Sequence, residues 1–225
     1  MKPNTQRARI AIILIWIVGS LDLVSIISGF FQYQLLDDAR HGVLVTTQRA
    51  SANDLREGII SVAYLIAFTI SIITFILWFR RAYYNLHQKF EYLQHSEGWA
   101  AGCWFVPIVS LYRPYQIMKE LYTITKEVLT EKGIEVNQNL GRYSLGIWWT
   151  FWIINNIMGQ IVFRYTPHAE SLAELSMATM LSILNNIVGI PLALITLKVI
   201  KDYSKLEPLL ENMDEDRGLM HHIVE

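Results

Sequence analysis

Four apolar stretches, each long enough to cross a bilayer, constrain this chain more than any other feature of its sequence. A helix crosses the hydrocarbon core of a membrane with about 20 residues. The four stretches are residues 10–31, 58–79, 145–163 and 177–197. Hydrophobic residues make up 52% of the 225 residues and charged residues only 17%, a composition typical of membrane proteins. The sequence therefore predicts an all-α membrane protein with four transmembrane helices.

The predicted spans form one domain over residues 1–205, and residues 206–225 follow as a polar cytoplasmic tail. The first apolar stretch is longer than the apolar region of a signal peptide, and no small-residue cleavage motif follows near Phe30. We therefore expect this stretch to be retained as a membrane anchor.

The distribution of basic residues predicts the orientation of the spans. If the N-terminus faces the cytoplasm, 15 of the 19 Lys and Arg residues lie inside and only four lie outside. The four outer residues are Arg40, Arg49, Arg56 and Arg164. Cytoplasmic loops of membrane proteins carry such an excess of Lys and Arg. The sequence thus predicts a multi-pass protein of the cell (cytoplasmic) membrane with both termini in the cytoplasm.

A further apolar run, "GWAAGCWFVPIVSLYRPY", lies between the second and third spans at residues 98–115. Its apolar part, residues 98–112, is too short to cross a bilayer, and Pro107 interrupts any continuous helix there. Both ends of this part adjoin inner-face segments. We therefore expect a re-entrant or interfacial segment that enters and leaves the membrane by its inner face.

Small and aromatic residues of this run suit a place at the membrane. Gly98 and Gly102 would allow close packing against a neighbouring helix. Trp99, Trp104 and Tyr112 belong to the residue types enriched at the headgroup boundary.

The segments that flank this run have helical patterns. No helix breaker lies between Trp78 and His95, so we expect the second span to continue into the cytoplasm for about three to four turns. Asn53 is placed to cap a helix that runs into the same span. Residues 115–131 carry an apolar stripe at helical spacing, with charged residues off it, which predicts an amphipathic helix along the inner surface.

Three runs of residues resemble a known family. They are W-x-x-R-A-x-x-N-L (Trp78, Arg81, Ala82, Asn85, Leu86), G-W-A-x-G-x-W-F-x-P-I (residues 98–108) and L-x-x-P-Y-x-x-M-x-E-L (residues 111–121). In order and spacing they resemble the bacterial membrane family catalogued as domain of unknown function 4328. Ser110 stands where that family often has Asn, and it keeps a hydrogen-bond donor and acceptor. The resemblance implies a small bacterial integral membrane protein and carries no assigned activity.

Eight residues of the motif are expected to have a structural role. They are Trp78, Gly98, Trp99, Gly102, Trp104, Pro107, Pro114 and Tyr115.

Asp22 lies near the middle of the first span, where an ionised carboxylate is costly. One interpretation is a proton or cation site, because acids inside membranes often serve transport. The other is a structural hydrogen bond to Ser20, Ser25 or an Asn of a neighbouring helix.

Two similar fragments, "INNIMG" and "LNNIVG", place pairs of Asn near the middle of the third and fourth spans. The pairs are Asn155 with Asn156 and Asn185 with Asn186. Amide side chains in hydrocarbon seek partners, so we expect hydrogen bonds between these spans. The alternative is a polar lining for a solute or an ion.

A group of polar residues follows the inner end of the second span. Arg80 and Arg81 are typical inner-face anchors. Together with Arg113 they also suit capture of a lipid phosphate or an anionic solute, and Asn85 and Glu120 would complete a polar pocket.

Other chemistry is missing from the sequence. It contains no phosphate-binding Gly-rich loop, zinc-binding HExxH helix or G-x-S-x-G elbow. Cys103 is the only cysteine, so no internal disulfide forms. No extended basic and aromatic surface for nucleic acid is present. We therefore expect no enzymatic activity, no cofactor, no bound metal and no nucleic acid partner.

Two functions follow from these observations. The first is a non-enzymatic membrane module that binds lipid, including anionic headgroups, or another membrane protein. The second is a small transporter or channel component, acting as an oligomer, that uses Asp22 and the Asn pairs.

Overall fold

The computed structural model describes residues 1–90 and 92–224, with side chains through residue 211, and the described residues form helices and no strand. The predicted all-α class is confirmed. The helices are α1 (Thr5–Arg40), α2 (Thr47–His87), α3 (Trp99–Gly102), α4 (Arg113–Glu131), α5 (Ser144–Tyr165) and α6 (Leu172–Val224). Two 3₁₀ turns, Val109–Leu111 and Thr166–His168, precede α4 and α6.

Three of these helices, α1, α2 and α6, are long and apolar enough to cross a membrane. This finding supports a multi-pass membrane protein. The fourth predicted span, residues 145–163, lies within α5, which has 22 residues. Three Trp, two Asn and one Gln lower the hydropathy of α5, so its crossing of the membrane stays a prediction.

The chain forms two compact units. Unit 1 consists of Met1–Ile12, Ile72–Trp149 and Thr196–Glu225, and unit 2 consists of Ile13–Ser71 and Thr150–Ile195. The helices α1, α2, α5 and α6 each have one end in unit 1 and the other in unit 2.

Large side chains from four helices fill the core of unit 1. The fully buried ones include Trp78, Phe79, Leu86, Ile117, Leu121, Trp148, Ile200 and Tyr203. Each large apolar side chain contributes roughly 1.5–3 kcal/mol when it is withdrawn from water. Apolar burial therefore holds unit 1 together as a packed domain with its own core.

The apolar stripe of α4 packs inside unit 1. Met118 and Leu129 are fully buried, and the Tyr122 hydroxyl donates to the Val199 carbonyl of α6 at 2.6 Å. Burial holds the pKa of Tyr122 well above its usual range. The helix was predicted from this stripe at residues 115–131, and the observed helix contains that range. The buried side chains of the stripe therefore pack against protein, and the expected position of α4 along the membrane surface stays a prediction.

The last helix carries the core of unit 1 beyond residue 205. Leu206 and Leu210 are buried one and two turns after Tyr203. The predicted polar tail therefore begins later than residue 206. The side chains of residues 212–225 lie outside the described residues.

Both ends of α2 differ from the sequence prediction. The helix begins at Thr47, so Asn53 lies inside it and its Oδ1 accepts a hydrogen bond from Arg56 at 2.6 Å. The helix ends at His87 and not at His95.

Close packing in unit 2 occurs at glycines of α1. A Cβ added at Gly19 would lie 3.3 Å from the Ala193 Cβ, and one added at Gly29 would lie 2.9 Å from the Ile183 Cγ1. Small residues allow helix backbones to approach closely in membrane proteins. In unit 2 the glycines of α1 therefore lie close to side chains of α6.

Candidate functional site

Aromatic side chains hold the segment of residues 98–112 on unit 1. The Trp104 ring meets Phe75 and Phe79 edge-on, with centroids 5.7 and 6.2 Å apart, and lies 6.4 Å from Trp149. Tyr115, at the start of α4, lies 6.1 Å from the same Trp149 ring. Such aromatic pairs contribute about 0.5–1.5 kcal/mol each beyond the area they bury. The motif residues Trp104 and Tyr115 therefore anchor the segment from one side.

The two prolines of the motif lie in different surroundings. Pro114 is buried in the first turn of α4, where a missing N–H leaves no hydrogen bond unmade. Pro107 is exposed and precedes Ile108, which has φ 67° and ψ −52°. The Val109 N–H donates to the Pro107 carbonyl at 2.7 Å, so Ile108 is the centre of a γ-turn with positive φ. This conformation is strained for a β-branched residue.

The outer side of the segment is apolar and exposed. Phe105 and Ile108 are each 74% exposed and Leu111 is 50% exposed. On the opposite side Ala100 and Cys103 are fully buried, and burial raises the pKa of the Cys103 thiol to about 11. Exposed apolar side chains grouped in this way mark a surface for a membrane or a partner.

Arg113 lies at the end of this apolar surface. Its guanidinium carbon is 5.5 Å from the centre of the Trp99 ring and 5.6 Å from that of Tyr112. Cation–π contacts at these distances fix a cation in place. Among the described side chains no carboxylate forms an ion pair with Arg113. The arrangement places a cation without a counter-charge beside apolar side chains, which suits the phosphate of a lipid headgroup.

The glycines of the segment do not make the close packing expected from the sequence. A Cβ added at Gly98 or at Gly102 would have no described neighbour within 4 Å.

The structure gives the five residues of the predicted anionic pocket different interaction partners. They are Arg80, Arg81, Asn85, Arg113 and Glu120. Arg80 forms an ion pair with Glu97 at 3.4 Å, and Arg81 lies over the Tyr84 ring at 5.8 Å. Asn85 and Glu120 belong to two different hydrogen-bond clusters of unit 1. Arg113 adjoins the exposed apolar surface through Trp99 and Tyr112.

Asn85 belongs to a buried cluster around Glu207. The Asn85 Nδ2 donates to a Glu207 carboxylate oxygen at 2.7 Å and to the Lys2 carbonyl at 2.9 Å. The Asn4 Nδ2 donates to both Glu207 oxygens, at 3.1 and 3.0 Å. This cluster joins the N-terminal residues, α2 and α6. Sequence reasoning assigned Glu207 to the tail, although Tyr203, Leu206 and Leu210 continue a helical apolar stripe past it.

Glu120 belongs to a second buried cluster. One carboxylate oxygen accepts from the Tyr83 hydroxyl at 2.7 Å and interacts with the His95 Nδ1 at 3.0 Å. The other accepts from the Gln94 N–H at 2.6 Å. The cluster fixes the connection that follows α2. Sequence reasoning missed His95 because a single histidine between two helices gives no pattern.

Asp22 is buried in unit 2, with 1% of its surface exposed. The Tyr64 hydroxyl of α2 interacts with its carboxyl group. Ser20, one of the partners expected from the sequence, donates instead to the Trp16 carbonyl at 2.9 Å. The side chain therefore finds its partner on another helix, and that partner is a tyrosine.

The Asn pairs of α5 and α6 form no hydrogen bond to each other in the part of the chain that the structure describes. The Asn156 Nδ2 donates to the Trp152 carbonyl of its own helix at 2.8 Å. The Oδ1 atoms of Asn155 and Asn185 are buried and without a partner. A Cβ added at Gly159 would lie 3.9 Å from the Asn185 Oδ1, so this amide faces α5 at a glycine.

The described residues contain no group of three or more His, Cys, Asp and Glu side chains that could hold a metal ion.

Comparison with known proteins identifies the family of the chain. A family model described as domain of unknown function (DUF4328) matches residues 41–205. A search of curated proteins found no match, and neither did a search of solved structures. The matched range covers more than half of the chain and contains the motif that anchors residues 98–112. The chain therefore belongs to the family described as domain of unknown function 4328.

Proposed function

We propose that this chain is a non-enzymatic, multi-pass protein of the bacterial cytoplasmic membrane that binds lipid through residues 98–112. In this proposal the helices α1, α2, α5 and α6 cross the membrane and unit 1 faces the cytoplasm. The exposed side chains of residues 98–112 enter the inner leaflet, and Arg113 meets an anionic headgroup.

The division of the chain supports the four crossings and their orientation. Each of the four helices has one end in each unit. Unit 1 contains 15 of the 19 Lys and Arg residues, and unit 2 contains the other four. An excess of basic residues marks the cytoplasmic side.

The observation that carries the proposal is the exposed, strained turn beside an uncompensated cation. In water, Phe105 and Ile108 are each 74% exposed and would lose roughly 1.5–3 kcal/mol each of the free energy that burial of an apolar side chain contributes. Inside a leaflet the same side chains are in an apolar solvent, and aromatic and basic residues are favoured at its edge. Insertion into the inner leaflet therefore gives the side chains of the turn an apolar solvent and places Arg113 at the headgroups.

Depth-dependent quenching tests the insertion. The full chain is reconstituted into vesicles that contain brominated lipid, with a fluorophore on Phe105→Cys in a Cys103→Ala background. We expect strong quenching, because position 105 lies among acyl chains. The matched control is Glu127→Cys, an exposed position on α4 of the same unit, which should be quenched little. Equal, weak quenching at the two positions would overturn the insertion.

Lipid retention tests the role of Arg113. Purified protein should retain phosphatidylglycerol over phosphatidylcholine, and Arg113→Gln should remove this preference. Lys119→Gln, which removes an exposed cation of α4, should leave it unchanged. Equal losses in the two variants would mean that net charge and not the site determines the preference.

A small transporter or channel component is the second candidate function. The observation that favours it is the buried Asp22 of unit 2, since acids inside membranes are rarely without function. Uptake of labelled ions by vesicles that contain the protein, compared with vesicles that contain Asp22→Asn, tests this candidate. Equal uptake by the two would dismiss it.

A further inference from the structure

One of the two oxygens of the Asp22 carboxyl group has no hydrogen-bond partner. The Tyr64 hydroxyl interacts with the carboxyl group, whose Oδ1 is buried without any hydrogen-bond partner. Buried polar atoms normally have hydrogen-bond partners, so this carboxyl oxygen needs a physical explanation.

The backbone of a third helix packs closely against this carboxyl group. A Cβ added at Gly189 of α6 would lie 2.8 Å from the Asp22 Oδ2, 3.1 Å from Oδ1 and 3.0 Å from Cγ. Only glycine leaves this space. Three helices therefore form the site. The acid belongs to α1, the hydroxyl group belongs to α2, and α6 packs closely against the carboxyl group at Gly189.

The charges around Asp22 determine whether its carboxyl group is ionised or protonated. No described cation forms an ion pair with Asp22, and Tyr64 is the one titratable side chain of the described residues that acts on it. An ionised carboxylate buried without an ion pair costs several kcal/mol, whereas a neutral acid needs no counter-charge. A metal ion is a poor alternative, because a hard cation takes about six or more oxygen ligands and the site offers a carboxyl and one hydroxyl.

We propose that Asp22, Tyr64 and Gly189 form a proton-binding site in unit 2. The Asp22 carboxyl group holds a proton at neutral pH, the Tyr64 hydroxyl donates to one of its oxygens, and the other oxygen carries the proton. The ligand is a proton, and the site does not require that any solute crosses the membrane.

Infrared spectroscopy of the full chain in lipid tests this site. The difference spectrum of the native protein and Asp22→Asn at neutral pH should show the C=O stretching band of a protonated carboxylic acid. Tyr64→Phe should keep this band and shift its frequency, because the hydrogen bond is lost. Glu57→Gln is the matched control in unit 2, since Glu57 is paired with Arg56, and it should leave the band unchanged.

Two results would overturn the proposal. Loss of carboxylate bands in Asp22→Asn, with no carboxylic acid band, would show that the group is ionised. Disappearance of the band on addition of Na⁺ at constant pH would assign the site to a cation. If Asp22→Asn does not fold, native protein with ¹³C-labelled Asp replaces it, and the isotope-shifted band must respond to Tyr64→Phe.

Discussion

The Asp22 carboxyl group fits against α6 because Gly189 has no side chain. A Cβ at this position would lie 2.8 Å from the Asp22 Oδ2, a separation that real Cβ atoms do not adopt. We expect Gly189→Ala to lower the free energy of unfolding by about 1–3 kcal/mol, because overpacking forces side chains and backbone to shift.

Gly58→Ala is the matched control for this substitution. Gly58 lies within a helix of the same unit, and a Cβ there meets nothing within 4 Å. This variant should be neutral or more stable by up to about 1 kcal/mol, since Ala favours helix over Gly. Denaturant titration in detergent measures both variants. Equal stability of the two variants would contradict the close contact.

The second residue-scale prediction concerns Cys103, which is fully buried beneath the exposed turn. Raising its pKa from 9.0 to about 11 lowers the thiolate fraction at pH 8 about 100-fold, and the thiolate is the reactive form. Alkylation of the folded protein at pH 8 should therefore be at least about 100-fold slower than in denaturant. Mass spectrometry measures the rate, with the exposed Asn139→Cys in a Cys103→Ala background as control. Equal rates at the two positions would contradict the burial.

At the scale of elements, Glu120 of α4 holds the connection after α2. Its carboxylate receives the Tyr83 hydroxyl, the Gln94 N–H and the His95 ring. Hydrogen bonds to charged groups contribute about 1.5–3 kcal/mol each, so Glu120→Ala should open this connection. Limited proteolysis should cut residues 88–97 faster in this variant than in Glu127→Ala, which changes an exposed acid of the same helix. Equal cutting would show that the connection is held by other contacts.

The helices were predictable where one local pattern determines them. The stripe of α4 gave the helix, because residues at helical spacing must share a face. The sequence did not reveal what covers that face, since a buried face and a lipid-facing one have the same composition. The sequence did not predict that α2 ends at His87. Glu120, which is distant in sequence, forms hydrogen bonds with Gln94 and His95, and these contacts favour a non-helical connection after α2.

At the scale of the whole molecule, hydropathy and basic residues predicted the long helices and the division of charge between the units. The candidate site was predicted in part. Residues 98–112 and Asp22 stood out as apolar and acidic exceptions in their surroundings. Tyr64, Gly189 and Glu207 did not, because a tyrosine, a glycine and a glutamate are ordinary at their positions until a distant residue approaches them.

The last prediction concerns the topology that follows from this division. In intact cells a membrane-impermeant maleimide should label single cysteines introduced by Leu44→Cys and Thr166→Cys, in a Cys103→Ala background. These residues lie in unit 2, and Leu44 is 94% exposed. Asn139→Cys, in unit 1 with most basic residues, should react only after the inner face is opened. The informative position is Thr166, since α5 is not among the three helices that are long and apolar enough to cross a membrane. Labelling of Thr166→Cys from the inside alone would mean that α5 does not cross, and α6 would then lack its outer start.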